Sequence, residues 1–290
     1  MTGEVAETTE LESAPSLKRL YVQAVAAPLL PGGDAELPTR LLVLRGAAIE
    51  PERVASYARV CGFGVRSTTP ATYPHVLAFP LHMSLMTDRS FPFSVLGLVH
   101  IANRLEVAAP IPVGANLDFA VRAEDLRPHR RGRQFDLISE AKLDGSVAWR
   151  ARTTYLHRAG EGDGVARRDS ESDGAGEARL DVSAEWQVPG DVGRRYAAVS
   201  GDRNPIHMHP VTARLFGFPS AIAHGMWTKA RCLAAFEGRI GEEFAIEVEF
   251  KAPLRIPGRA RLLTGSADGG WRFRVEAPDG ARSHVVGSIS

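Results

Sequence analysis

Tyr196-Ala197-Ala198-Val199-Ser200-Gly201-Asp202-Arg203-Asn204-Pro205-Ile206-His207 carries two readings at once. Its first half reads as the end of a helix. Asp191 stands upstream as a cap, Tyr196 and Val199 share a face, and Gly201 permits a sharp exit. Its second half reads as a turn, because Pro205 disfavours helical geometry at Asn204. Asp202 and His207, five residues apart across that turn, can point into one cavity. A nearby carboxylate orients and tunes an imidazole, so the two form a candidate general acid/base pair. Asn204 lies between them and can hydrogen-bond either group.

The helical half has a counterpart upstream. Tyr57-Ala58-Arg59-Val60-Cys61-Gly62-Phe63 lines up with Tyr196 to Asp202. Leu105-Glu106-Val107, followed by Pro110-Ile111-Pro112-Val113-Gly114, echoes Ile246-Glu247-Val248, followed by Pro253-Leu254-Arg255-Ile256-Pro257-Gly258, at nearly the same offset. Two matches in one order favour duplication of a single fold unit. The 290 residues accommodate two such units at roughly 100–200 residues per domain. Residues 159–184, rich in Gly, Asp, Glu, Ser and Arg, bury too little apolar surface to offset their ordering entropy and read as a linker. The expected organisation is a disordered tail over 1–16, an N-terminal unit over 17–158, a flexible linker over 159–184 and a C-terminal unit over 185–290.

Both units follow one plan. Pro51 and the spacing of Val54, Tyr57, Ala58 and Cys61 predict a short helix stopped at Gly62. Met226, Ala230, Leu233, Ala234 and Glu237 predict another from about Gly225 to Phe236. Strand-like runs follow at 245–250, 260–265, 271–277 and 283–289, and in the first unit at 99–107, 116–124, 134–143 and 147–158. Helices followed by runs of antiparallel strands make an α+β fold with each helix packed on a sheet. Around 77–88, Pro80 and the Pro-flanked Phe91-Pro92-Phe93 predict a short or irregular central helix in the first unit.

Composition excludes several classes. Lys and Arg number 35 against 34 Asp and Glu, a net charge of +1 that does not suit a polybasic nucleic-acid binder. No run approaches the ~18 apolar residues of a membrane span. The acidic start, MTGEVAETTELESAPS, lacks the layout of a signal peptide. Cys61 and Cys232 offer neither a disulfide framework nor metal-ligand spacing, and the expected location is a reducing cytoplasm.

About twenty residues beyond the acid/base pair comes Ala223-His224-Gly225-Met226, at the predicted start of the long helix. Glycine lets a ligand approach the backbone there, and a helix N-terminus presents unpaired N–H groups. An acid/base pair plus such a donor is the equipment for forming an enolate-like state from a carbonyl compound. His209 and His224 read as structural or capping residues, and Ser200 as a helix-end hydrogen-bonder, since no nucleophile elbow surrounds it.

Ser200 to His207, followed by Gly217-Phe218-Pro219-Ser220-Ala221-Ile222-Ala223-His224-Gly225-Met226, resembles the signature of the MaoC-like dehydratases. These are the hydratase-2 group of (R)-specific enoyl-CoA hydratases and 3-hydroxyacyl-thioester dehydratases. The resemblance covers residues 185–290. It implies a hot-dog fold, a curved antiparallel sheet around a central helix, and with two units a double hot-dog packed as a pseudo-dimer. It also implies catalytic Asp202 and His207, a supporting Asn204, and an oxyanion-hole N–H at Gly225. The implied reaction is reversible addition of water to a trans-2-enoyl thioester of CoA or an acyl-carrier protein, with no metal or redox cofactor. Association into a homodimer is compatible with the family. Asp202 aligns with Phe63, so the first unit lacks the pair and is expected to hold substrate, with Met83, Leu85 and Met86 lining an acyl tunnel. Alternatives are a thioesterase or acyl-thioester-binding protein on the same fold, and a metallohydrolase using Asp202, Asn204, His207, His209 and His224.

Overall fold

The computed structural model describes residues 7–26, 36–158, 179–267 and 269–290. The first unit runs β1 (Glu7–Leu11), α1 (Leu17–Ala26), β2 (Arg40–Ala48), α2 (Pro51–Cys61), α3 (Tyr73–Met86), β3 (Leu98–Val107), β4 (Asn116–His129), β5 (Gly132–Leu143) and β6 (Ser146–Arg158). The second runs β7 (Asp181–Val188), α4 (Val192–Ser200), α5 (Pro205–Met208), α6 (Pro210–Leu215), α7 (Gly225–Ala234), β8 (Phe244–Phe250), β9 (Gly258–Ala267), β10 (Gly270–Glu276) and β11 (Ser283–Ile289). No helix among the described residues is long and apolar enough to cross a membrane.

All the strands form one sheet in the order β1-β2-β4-β5-β6-β3-β8-β11-β10-β9-β7. Apart from β1, which lies parallel to β2, neighbours run antiparallel. Inward residues alternate with outward ones, as Leu117, Phe119 and Val121 do on β4. The two units join where β3 pairs with β8, and here the repeated segments face each other: Leu105 lies opposite Ile246 and Arg104 opposite Glu247. The other repeat meets in the same way. Helix α2 packs on α4, and the Tyr57 and Tyr196 rings lie 6.1 Å apart. The sequence echo is therefore a pseudo-twofold axis, and the architecture is a double hot-dog.

Lys229 pins this junction. Fully buried on α7, its ammonium donates to the side chain and carbonyl of Asn103 on β3 and to the Ile246 carbonyl on β8. Burial holds its pKa well below the ordinary lysine value.

Three expectations need correction. Helix α3 is neither short nor irregular; it spans 14 residues against 10 for α7 and continues through Pro80. It is buried on nearly every face against β2, β4 and β5, and such packing overrides local propensity. The carbonyl that Pro80 cannot serve with an N–H is that of Val76, a residue on the wall of the central cavity. The tail over 1–16 is not wholly unstructured. Residues 1–6 lie outside the described residues, but β1 pairs with β2, reinforced by ion pairs of Arg40 with Glu7 and Arg45 with Glu10 at 3.4 and 2.6 Å. The linker expected over 159–184 falls mostly outside the described residues, while its last residues open β7, which pairs with β9.

Candidate active site

Helix α4 positions the acid/base turn. Its buried face, with Val192, Tyr196, Ala197 and Ser200, anchors it, and Gly201 ends it at φ +77°. Glycine is demanded there twice, since a Cβ would also lie 2.3 Å from Leu17 Cδ1 of α1. The Asp202 N–H then donates to Ser200 Oγ at 3.2 Å. Asn204 caps α5 by accepting from the Ile206 N–H at 3.3 Å, with Pro205 at the first helical position.

This single turn presents His207 beside Asp202. His207 Nδ1 lies 2.8 Å from the Ile222 carbonyl, which only accepts, so Nδ1 carries the proton and Nε2 keeps its lone pair. Stacked on that ring, with centroids 3.7 Å apart, is His224. His224 Nε2 donates to the Asp202 carbonyl at 3.0 Å and lies 3.8 Å from the carboxylate Oδ2.

The other carboxylate oxygen, Oδ1, is fully occupied. It accepts from the Asn204 N–H at 3.1 Å and from the Tyr21 hydroxyl at 2.9 Å. Tyr21, on α1, in turn accepts the Arg203 N–H at 2.8 Å. Burial pushes the Asp202 carboxyl up, but His224, His207, Tyr21 and the Asn204 N–H outweigh it and hold the group below its ordinary value. His207 is lowered by burial, with Asp202 and the Ile222 carbonyl opposing. His224 is lowered further, to about 3, by burial and by His207. At neutral pH the site therefore holds one carboxylate and two neutral imidazoles.

Facing the pair, Gly225 opens α7 behind His224, which sits at the N-cap without a side-chain cap. Among the described residues no backbone carbonyl accepts the Gly225 N–H. A Cβ at Gly225 would lie 2.9 Å from the Phe250 ring, so any other residue there would have to displace that ring. Asp202, Asn204, His207, His224 and Gly225 all line one cavity of about 390 Å³, a size suited to a small-molecule site.

Each expected site residue can now be placed. Asp202, His207 and Gly225 converge on the cavity. Asn204 reaches Asp202 through its backbone N–H, while its side chain is spent on the helix cap. Met83 and Met86 line the cavity; Leu85 is buried but is not part of its wall, because it points off α3 in another direction. His209 caps α6, accepting from the Val211 N–H at 3.2 Å. Two participants were missed: His224, read as a capping residue, and Tyr21, which nothing in its neighbourhood singles out.

Asp202, His207 and His224 bring possible metal-ligand atoms within 4.8 Å of one another. The nitrogen that His224 turns toward Asp202 is an N–H donor to a carbonyl and has no lone pair to offer a metal.

A model of the MaoC like domain family matches residues 176–267. The 3-hydroxyacyl-thioester dehydratase X of Mycobacterium tuberculosis is 39% identical over 279 residues, covering 93% of this chain and 95% of that protein. The crystal structure of HtdX from the same organism is similar with a TM-score of 0.76 at 36% identity, covering 86% of this chain and 99% of that one. A further Mycobacterium tuberculosis protein, described as a double hot-dog fold, has a TM-score of 0.57 at 14% identity, over 91% of this chain and 98% of that one. That last likeness is one of fold.

Proposed function

The chain belongs to the MaoC-like dehydratase family, and from that premise we propose that it interconverts trans-2-enoyl and (R)-3-hydroxyacyl thioesters by reversible hydration. One arrangement carries the proposal: the unprotonated Nε2 of His207 and the free oxygen of Asp202 share a cavity with the unpaired N–H of Gly225.

The thioester carbonyl accepts from the Gly225 N–H at the N-terminus of α7. A water molecule is held between Asp202 Oδ2 and His207 Nε2, over C3 of the substrate. His207 takes a proton as the water oxygen bonds to C3, and the electron pair of the double bond moves to the carbonyl oxygen as an enolate. Negative charge gathers where the Gly225 N–H points. The imidazolium, stabilised by the Asp202 carboxylate, then returns the proton to C2, which restores the neutral histidine. Dehydration is the reverse. Tyr21 and the Asn204 N–H keep Asp202 ionised and aimed. Because His207 both takes and gives the proton from one side, addition is syn.

The first unit, lacking the pair, is the binding half: Met83 and Met86 face the acyl chain. Both acyl-CoA and acyl-carrier-protein thioesters suit the chemistry, and Cys61 and Cys232, buried free thiols, suit the cytoplasm.

Incubation with crotonyl-CoA, following loss of enoyl absorbance, tests the assignment. Turnover insensitive to chelator, giving (R)-3-hydroxybutyryl-CoA, is expected. Hydrolysis to free CoA would identify a thioesterase instead, and activity lost with chelator would point to a metalloenzyme.

A further inference from the structure

Helix α3 turns one stripe toward the cavity: His75 and Val76, then Phe79, Met83 and Met86. At 1.5 Å per residue it runs about 16 Å along the wall. Its far end suits an alkyl chain, but its near end does not. His75, with 5% of its surface exposed, has an Nδ1 without a hydrogen-bond partner. Two further polar groups from the same unit stand beside it. The His100 ring on β3 stacks with His75 at 6.4 Å and lies 5.2 Å from the Tyr155 ring on β6. His100 Nε2 donates to the Ala102 carbonyl at 3.0 Å, leaving Nδ1 as an acceptor. No hydrogen-bond partner for the Tyr155 hydroxyl is found among the described residues, although Tyr155 is 8% exposed and lines the cavity. Buried polar groups are paired in the great majority of cases, and a cluster left unpaired on a ligand wall is therefore provision for a ligand.

The cluster lies next to the reacting centre. Phe250 touches Gly225 on one side and His100 on the other, with ring centroids 4.8 Å apart in the second contact. Asp202 is close enough to act on His75, His100 and Tyr155 electrostatically. A chain leaving the thioester carbonyl at Gly225 along α3 thus passes the polar groups first and the methionines afterwards.

We infer that Tyr155, His100 and His75 form a polar subsite for a hydroxyl or oxo group borne on the acyl chain a few carbons beyond the double bond. This rests on the hydratase reading for its direction along the cavity. The subsite is uncharged: burial holds His75 to about 4 and His100 to about 3, so both imidazoles are neutral at pH 7, and burial raises the Tyr155 phenol. Asp202 and Lys229 act on it with opposite sign, and with no charge of its own to pair an anion the subsite favours a neutral oxygen function over a second carboxylate. The preferred substrate is accordingly an oxygenated chain with an apolar tail.

Saturated thioesters test this without turnover, since they have no 2,3-double bond to hydrate and no 3-hydroxyl to lose. Decanoyl-CoA and its 5-, 6- and 7-hydroxy derivatives are titrated calorimetrically into the wild-type protein. One hydroxylated ligand is expected to bind 5- to 10-fold more tightly than decanoyl-CoA, and in Tyr155→Phe that ratio should fall to about one. No hydroxylated ligand binding more tightly than decanoyl-CoA overturns the inference, as does a Tyr155→Phe variant that weakens every ligand equally, which would assign the phenol to the pantetheine arm. Failure of the hydratase assay, by contrast, would leave these binding ratios measurable and condemn only the reaction.

Discussion

The two halves of the molecule share a fold and, under the proposed hydratase function, divide the work. Each lays a central helix against its part of one sheet, and they meet at β3 and β8 around a pseudo-twofold axis. At corresponding places one half carries Asp202 and the other Phe63. The C-terminal half spends 24 residues between the end of α4 and the start of α7, from Gly201 to His224, and carries the proposed acid/base pair there. The other half reaches α3 from α2 by way of 11 residues, Gly62 to Thr72, with no such apparatus. In exchange it contributes Tyr21, the methionine wall and the buried polar cluster. A duplicated unit freed from catalysis can be remodelled for binding, provided it keeps the strand that joins it to its partner.

That division can be broken from the catalytic side first. His207→Ala removes the base, and a fall of about 10³-fold or more in kcat is expected from the usual weight of general acid/base catalysis. Retention of even a tenth of the activity would mean the chemistry lies elsewhere. Gly225→Ala crowds Phe250 and displaces the N–H donor; about a 10²-fold loss, mostly in kcat, is expected from steady-state kinetics. Tyr21→Phe probes what the binding half lends to the catalytic half. It removes one hydrogen bond from Asp202, whose pKa is held low, and so raises that pKa. The carboxylate is then lost at a higher pH, so the step that Asp202 contributes to the acid limb of the kcat profile, next to the one set by protonation of His207, should move upward, with kcat at its optimum reduced about 5- to 10-fold. An unchanged limb would make Tyr21 a packing residue. Met83→Trp sharpens the other side of the comparison: kcat/KM should fall about 10-fold more for decenoyl-CoA than for crotonyl-CoA. Equal losses on both would remove Met83 from the acyl wall.

How much of this was legible depended on distance along the chain. Asp202, Asn204 and His207 lie close together in sequence, and Gly201, Pro205 and Gly225 state the backbone geometry in residue types, so the core of the candidate site was readable. Tyr21 was not, because 181 residues separate it from Asp202 and only the docking of α1 brings them together. The length of α3 was misjudged because Pro80 reports local preference, whereas enclosure by the sheet decided the outcome. The strand β1 escaped notice because Glu7, Thr8, Thr9 and Glu10 carry no apolar alternation; its pairing is written in β2. His100 and Tyr155 looked unremarkable for a related reason: partners on other strands, and a cavity between two units, leave no trace in spacing.

The division of labour itself is tested most directly by titrating decanoyl-CoA into the wild-type protein and into His207→Ala by calorimetry. One ligand per chain is predicted in both, with dissociation constants within about threefold of each other, because affinity resides in the binding half and chemistry in the other. Two ligands per chain, or affinity that disappears together with His207, would contradict it.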